Sequence, residues 1–254
     1  MTEHSQSQIA MTPQQRRLAQ ARVSKFRLYR DLLVGQDASF LFFLGFELYN
    51  LFLINLPGSL GYVLRGAFLS LFLSARSKQP TLGRGVTIRH PQRINFGKGV
   101  LVDDYAVLDV RKDSAAVEAG IELGDGVLIG RQTIITSKNA KISLGDGVNI
   151  SSQCRIASQS QITIGKSVLI AAYTYIGPGN HSFDSDDKPL IEQQMEIKGG
   201  VTIGDHAWIG AHSTILDGVA IGKNAIIGAH SLVRENVPDN AIVAGSPAKI
   251  IKYR

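Results

Sequence analysis

The chain holds a single cysteine, Cys154, and a single tryptophan, Trp208, in 254 residues. One cysteine excludes an internal disulfide framework and fits a reducing compartment. No uninterrupted apolar run reaches the ~20 residues that a membrane-crossing helix requires. The opening residues, MTEHSQSQIAM, lack the basic-then-apolar order of a secretory leader and are expected to form a disordered tail over 1–11. Charge is also unevenly distributed. Residues 1–80 contain nine Lys/Arg and four Asp/Glu, whereas 81–254 contain eighteen and seventeen. The basic excess therefore sits at the N-terminal end and points to an anionic partner there, with a membrane leaflet favoured over nucleic acid.

What is present falls into two compositional blocks. In residues 12–80, Thr12-Pro13-Gln14-Gln15 has the form of a capping box and predicts a helix that carries Arg16, Arg17, Arg22, Lys25, Arg27 and Arg30 as a basic arm. Two apolar runs follow, FLFFLGFELYNLFLINL (40–56), with Ser39 as N-cap, and LGYVLRGAFLSLFL (60–73), separated by Pro57-Gly58-Ser59. Glu47 and Arg65 interrupt them, and a central charge costs roughly 3 kcal/mol on insertion scales, which argues against crossing. Three placements remain: a hairpin in the membrane face, helices capping the rest of the chain, or true spans. The basic arm favours the first, because each Lys or Arg at an anionic surface contributes ~1 kcal/mol. The expected location is peripheral, on the inner face of the cytoplasmic membrane.

From residue 81 the composition shifts to Gly, Val, Ile, Asp and Asn in a six-residue frame: LGRGVT at 82, LGDGVL at 123, LGDGVN at 144, IGKSVL at 164, IGDHAW at 203, IGKNAI at 221. Three hexads make a unit, and this is the signature of hexapeptide β-helix repeats. The aliphatic position points inward and stacks on its counterpart one turn away, while Gly, Asp and Asn accept the corner geometry. The fifth position must also point inward; it is Val127, Thr133, Val148, Cys154, Val168, Thr174, Ala207, Ser213, Val219, Ala225 and Ser231. That frame assigns Cys154 to packing rather than nucleophilic chemistry. Two intervals are too long. One surplus lies near 109–120; the other, 181–200, follows Ile176-Gly177-Pro178-Gly179-Asn180. Insertions in solenoids cluster on the working face. The hexads stop after Val233, leaving 234–254 as a C-terminal cap.

The repeat, the Gly-Asn-His-Ser-Phe-Asp break at 179–184, Trp-Ile-Gly at 208–210 and the ending IVAGSPAKII at 242–251 resemble the hexapeptide-repeat acyltransferases. Within that group the chain is similar to the sugar O-acetyltransferases of the maltose/galactoside type and of surface-polysaccharide synthesis. The resemblance covers about residues 81–254. It implies a mainly β fold, a left-handed parallel β-helix with the N-terminal α-helical segment appended, a homotrimer, and acetyl-CoA as co-substrate with no metal. It also implies that His181 is the general base, a role suited to the one side chain whose ordinary pKa lies near neutrality. A His base needs an orienting acceptor, for which Asp184 is the candidate in a loop that also holds Asp186 and Glu192. By the same resemblance Trp208, Ser151 and Asn180 face the acceptor, although Ser151 stands where the maltose/galactoside type has Asn. Backbone at Ala211, Gly228 and Ala229 lies along the pantetheine arm, and Lys249 and Lys252 approach the CoA phosphates. Arg234-Glu235 replaces a frequent Thr-Lys.

His206, His212 and His230 all hold the fourth hexad position, and His212 and His230, one unit apart, should stack. Zinc favours such ligands, as in the γ-type carbonic anhydrases, but their paired histidines are five apart, and His206 and His212 are six apart. The expected activity is acetyl transfer from acetyl-CoA to a hydroxyl of a saccharide or lipid-linked glycan in envelope or surface-polysaccharide synthesis. An amino-sugar N-acetyltransferase and a non-catalytic trimeric scaffold at the membrane are the competing readings.

Overall fold

The computed structural model describes residues 24–112, 119–177, 182, 186–193 and 195–254. From Thr81 the chain winds as a coil whose turns visit three faces in order, giving sheets of nine, seven and six strands. All strand pairs are parallel except the closing one, so the fold is a parallel β-helix. The aliphatic position sets the register. On face one Leu82, Val102, Ile129, Ile150, Ile170, Ile209, Ile227 and Val243 stack in a column. On face two the column is Ile88, Leu108, Ile135, Ile156, Ile176, Ile215 and Val233. Every member is buried. Each such side chain contributes about 1.5–3 kcal/mol, and a slip of one residue would turn a whole column outward.

All eleven fifth-position residues named above are buried, including Cys154. The polar ones are satisfied by corner carbonyls: Thr133 donates to Ser151 O at 2.7 Å, Thr174 to Ala171 O at 2.8 Å, and Ser231 to Gly228 O at 2.6 Å. A hydroxyl is tolerated there because the corner supplies an acceptor.

The N-terminal block forms helices α1 (Lys25–Leu33), α2 (Phe40–Phe52) and α3 (Gly58–Leu69). Ser39 caps α2 by accepting the Phe42 N–H at 3.1 Å. The expectation of one continuous helix from Thr12 through Arg30 is corrected. Ser24 is extended (φ −60°, ψ 145°) and caps the helix that carries Lys25, Arg27 and Arg30, its Oγ accepting the Arg27 N–H at 3.2 Å. A serine oxygen that can take an orphan amide competes with helix continuation at that point. Residues 1–23, with the capping box at 12–15 and Arg16, Arg17 and Arg22, lie outside the described residues.

These helices close the first end of the coil. Leu33, Val34, Phe43, Phe46, Tyr49 and Leu69 belong to the same buried cluster as the β-helix columns. Backbone links pin them down: His90 N–H donates to Leu33 O (2.8 Å) and Gly85 N–H to Ile54 O (2.9 Å). Gly66 of α3 presses on the Pro80 carbonyl, where any Cβ would collide with it. No described helix is long and apolar enough to cross a membrane. At the other end, Ala241–Gly245 extends face one by another strand, and Ala248–Tyr253 folds back antiparallel on it.

Candidate active site

Between Tyr175–Ile176 on face two and Val201–Ile203 on face three the chain leaves the coil. His181, Asn180 and Asp184 fall in this excursion and lie outside the described residues. Its two feet are well defined. On the departing side the Gly177 N–H donates to Ile215 O at 3.2 Å. On the returning side Asp217, only 6% exposed, gathers three donors: Lys198 N–H at 2.5 Å, Gly200 N–H at 2.8 Å and the Ser160 hydroxyl at 2.9 Å. Gly200 itself adopts φ +99°, and a side chain there would fall on the Gln161 carbonyl oxygen. Asp217 thus ties the turn before the excursion, the excursion's last residues and the turn after it. Sequence reasoning missed it. The available signal was an acid inside the repeat at Leu216-Asp217-Gly218, followed by a glycine at φ +83°.

A second constellation lies on face one. Trp208 begins a strand and is 48% exposed, on the outward column Leu169, Trp208, Ile226, Ile242 and Lys252. Strands repeat at ~4.8 Å, so Trp208 and Lys252 stand about 14 Å apart on one surface. The corner between faces one and two borders this strip and holds Ala211 and Ala229, with Gly228 at its entrance. His230 N–H donates to Ala211 O at 2.8 Å, and Gly228 N–H donates to Val243 O at 2.7 Å. A Cβ on Gly228 would meet the Ala244 Cβ at 2.7 Å, and Lys249 pairs with Ala244 on the next strand. The five residues expected to contact the co-substrate therefore fall on the last turns and closing hairpin of the coil, Lys249 beside Gly228 through Ala244 and Lys252 farther along face one. Lys249 also lines a cleft of about 300 Å³ with Arg234, whose Nε is 3.7 Å from Glu235.

Ser151 is half-buried at the same corner, two turns before Trp208, its N–H bonded to Ile170 O at 2.8 Å. Cys154 packs beneath it. Its thiol lies 3.2 Å from Ala171 O, and burial pushes its pKa up, so it is suited to packing rather than to nucleophilic attack.

The histidines separate. His212 and His230 stack in parallel, ring centroids 4.7 Å apart, with Tyr173 stacked on His212 at 4.6 Å. His206 belongs to the corner between faces three and one, beside Asn224 of the next turn in the left-handed region. Among the described residues no cluster of three or more His, Cys, Asp or Glu could hold a metal ion.

The family described as bacterial transferase hexapeptide (six repeats) matches residues 200–235. The chain is 36% identical over 176 residues to the probable acetyltransferase Rv3034c of Mycobacterium tuberculosis, an alignment covering 68% of this chain and 49% of that protein. It is 39% identical over 103 residues to the putative lipopolysaccharide biosynthesis O-acetyl transferase WbbJ of Escherichia coli K12, covering 38% and 53%. The chain spans about half the length of the curated relatives it matches. Among solved structures, the N-acyltransferase AntD of Bacillus cereus, in complex with dTDP and 3-hydroxybutyryl-CoA, aligns with a TM-score of 0.47 at 24% identity, covering 70% of this chain and 81% of that one.

Proposed function

We propose that this chain, a hexapeptide-repeat protein of the left-handed parallel β-helix class that resembles named acetyltransferases, transfers acetyl from acetyl-CoA to a saccharide hydroxyl. The observation that carries this reading is the face-one strip. Small residues at 211, 228 and 229 leave room for a narrow flexible chain, and Lys249 and Lys252 stand at one end of the run for anionic groups. Trp208 offers a flat exposed ring at the other end for the acceptor. The similarity to a protein named as an O-acetyl transferase supports oxygen as the acceptor atom.

In this reading neutral His181 takes the proton of the acceptor hydroxyl as its oxygen attacks the thioester carbonyl. The tetrahedral intermediate then collapses, the C–S bond breaks, and the imidazolium returns the proton to the departing sulfur. The products are an ester and free CoA thiol, so atoms and charge balance. The base supplies about 10²–10⁴-fold; holding donor and acceptor together supplies much of the rest.

The site is completed between copies of the chain. The His181 excursion leaves from the corner between faces two and three, which in a three-sided coil lies opposite face one, where Trp208 stands. A homotrimer brings one copy's loop to the next copy's face one. The outward columns favour this. Faces one and two carry Leu128, Leu169 and Trp208, and Ile134, Tyr175 and Leu232, interspersed with Asn149, Arg155 and Thr214, whereas face three carries the polar residues Glu122, Ser143, Thr163 and Thr202. The test is light scattering of the purified protein together with thiol release from acetyl-CoA in the presence of saccharide acceptors. A trimer that releases CoA and adds one acetyl mass to an acceptor supports the reading. Acetylation of amino sugars alone would move it to nitrogen, and a trimer without turnover on any acceptor would favour a scaffold.

A further inference from the structure

Going beyond the acyl-transfer reading, we propose that the outer surface of the helical cap is a docking face for an anionic lipid bilayer. Helices α2 and α3 are predominantly apolar, yet each buries only one side. Phe43, Phe46 and Tyr49 of α2 and Leu69 of α3 enter the core, while Leu41 (79% exposed), Leu44, Leu48, Leu51 (73%), Phe52, Leu60, Val63 and Phe68 face outward. A patch of this size on a soluble chain marks an interaction surface.

The disposition of charge identifies the occupant. From Ala38 to Ala75 no charged side chain is exposed. Of the two charges that interrupt the apolar runs, Arg65 is buried and Glu47 is held in a hydrogen bond. Arg65 is 4% exposed and donates to Leu82 O (3.0 Å) and Leu56 O (2.6 Å); Glu47 accepts the Tyr29 hydroxyl at 2.6 Å. That hydrogen bond, after burial, helps push the Tyr29 phenol up to about 12.

At the margins the free charges have one sign. Lys25, Arg27, Arg76 and Lys78 are exposed and in no ion pair among the described residues. The acids nearby are paired, Asp31 with Arg30 (3.3 Å) and Asp37, its side chain 81% exposed, with Arg93 (3.5 Å). A second copy placed face to face would oppose cation to cation. Anionic headgroups complement the basic margin, and acyl chains match the uncharged centre. Helices of 13 and 12 residues span roughly 20 Å, too short to cross a bilayer, so they lie in its surface.

The experiment is co-sedimentation of the full chain with vesicles of phosphatidylcholine alone and of phosphatidylcholine containing about 30 mol% phosphatidylglycerol. Binding is expected to the anionic vesicles. The double variant Leu41→Glu/Leu51→Glu changes two exposed positions and should keep the thermal midpoint while lowering partitioning about tenfold or more. Lys25→Glu/Arg27→Glu should weaken binding to anionic vesicles only, by about fivefold per residue. Transfer to a soluble acceptor should be unchanged in both variants, so docking and catalysis fail independently. The proposal is overturned if the wild type stays in the supernatant with anionic vesicles, or if the leucine variant binds as well as the wild type. A leucine variant that binds equally but loses oligomeric mass would assign the face to a second copy instead.

Discussion

Replacing Asp217 by Ala should release the returning foot of the His181 loop without unwinding the coil. The substitution removes the acceptor for the Lys198 and Gly200 amides and for the Ser160 hydroxyl. A buried donor left unpaired costs about 1–3 kcal/mol, so the two amides together are worth about 2–6 kcal/mol if the foot stays closed. The foot can instead open locally, because the described residues preceding it, 186–193 and 195–199, are mostly exposed while the columns on either side remain packed. Most of the loss should therefore appear as local opening. Hydrogen exchange should show protection at the Lys198 and Gly200 amides falling about 30-fold or more, while Ile203 and Ile221 keep theirs. Under the proposed mechanism kcat should fall with little change in the KM for acetyl-CoA, because the loop carries the base and face one holds the donor. Asp217→Asn keeps one carbonyl oxygen and should be intermediate. Unchanged protection at 198–200, or a uniform loss along the coil, would refute the assignment of Asp217 as the anchor.

Other consequences follow from single residues. Gly228→Val places a branched side chain where Ala244 already stands, so it should destabilise the fold by about 1–3 kcal/mol and raise the KM for acetyl-CoA more than it lowers kcat; a variant with wild-type KM would remove Gly228 from the donor strip. Burial, aided by Arg93, holds the His90 imidazole below its ordinary value of 6.5, so the folded state binds its proton less readily than the unfolded chain. His90 therefore gives its full stabilisation above about pH 6.5 and loses it as pH falls below that, at no more than about 1.4 kcal/mol per unit. His90→Asn, a residue that tolerates the local φ of 56°, should flatten the dependence of Tm on pH in that acid range, and an unchanged slope would reject the assignment.

The legible part of this protein was the part built by repetition. Eleven fifth-position residues and the aliphatic columns could be placed inward because one steric demand recurs at each turn, and Cys154 was assigned by its slot alone. The stacking of His212 on His230 followed from the same spacing. The helical cap was harder. Hydropathy treats Arg65 and Glu47 as interruptions, and only the fold shows that backbone carbonyls and a tyrosine hydroxyl absorb them, which lets one helix serve the core and an outer surface together. The helix start at Ser24 was missed because a capping serine leaves no trace in periodicity. Asp217 was missed for a related reason: its partners are one and two turns away along the coil, at Gly200 and Ser160 respectively, a closeness visible only once the turns are stacked.

The most direct test of the account is acetyl transfer by wild-type protein and by His181→Ala, measured by mass spectrometry of a saccharide acceptor incubated with acetyl-CoA. The wild type should add one acetyl mass to an acceptor hydroxyl with release of CoA thiol. His181→Ala, at the same oligomeric mass and thermal midpoint, should lose about 10²–10⁴-fold of that rate. Equal transfer by the two proteins would contradict the account.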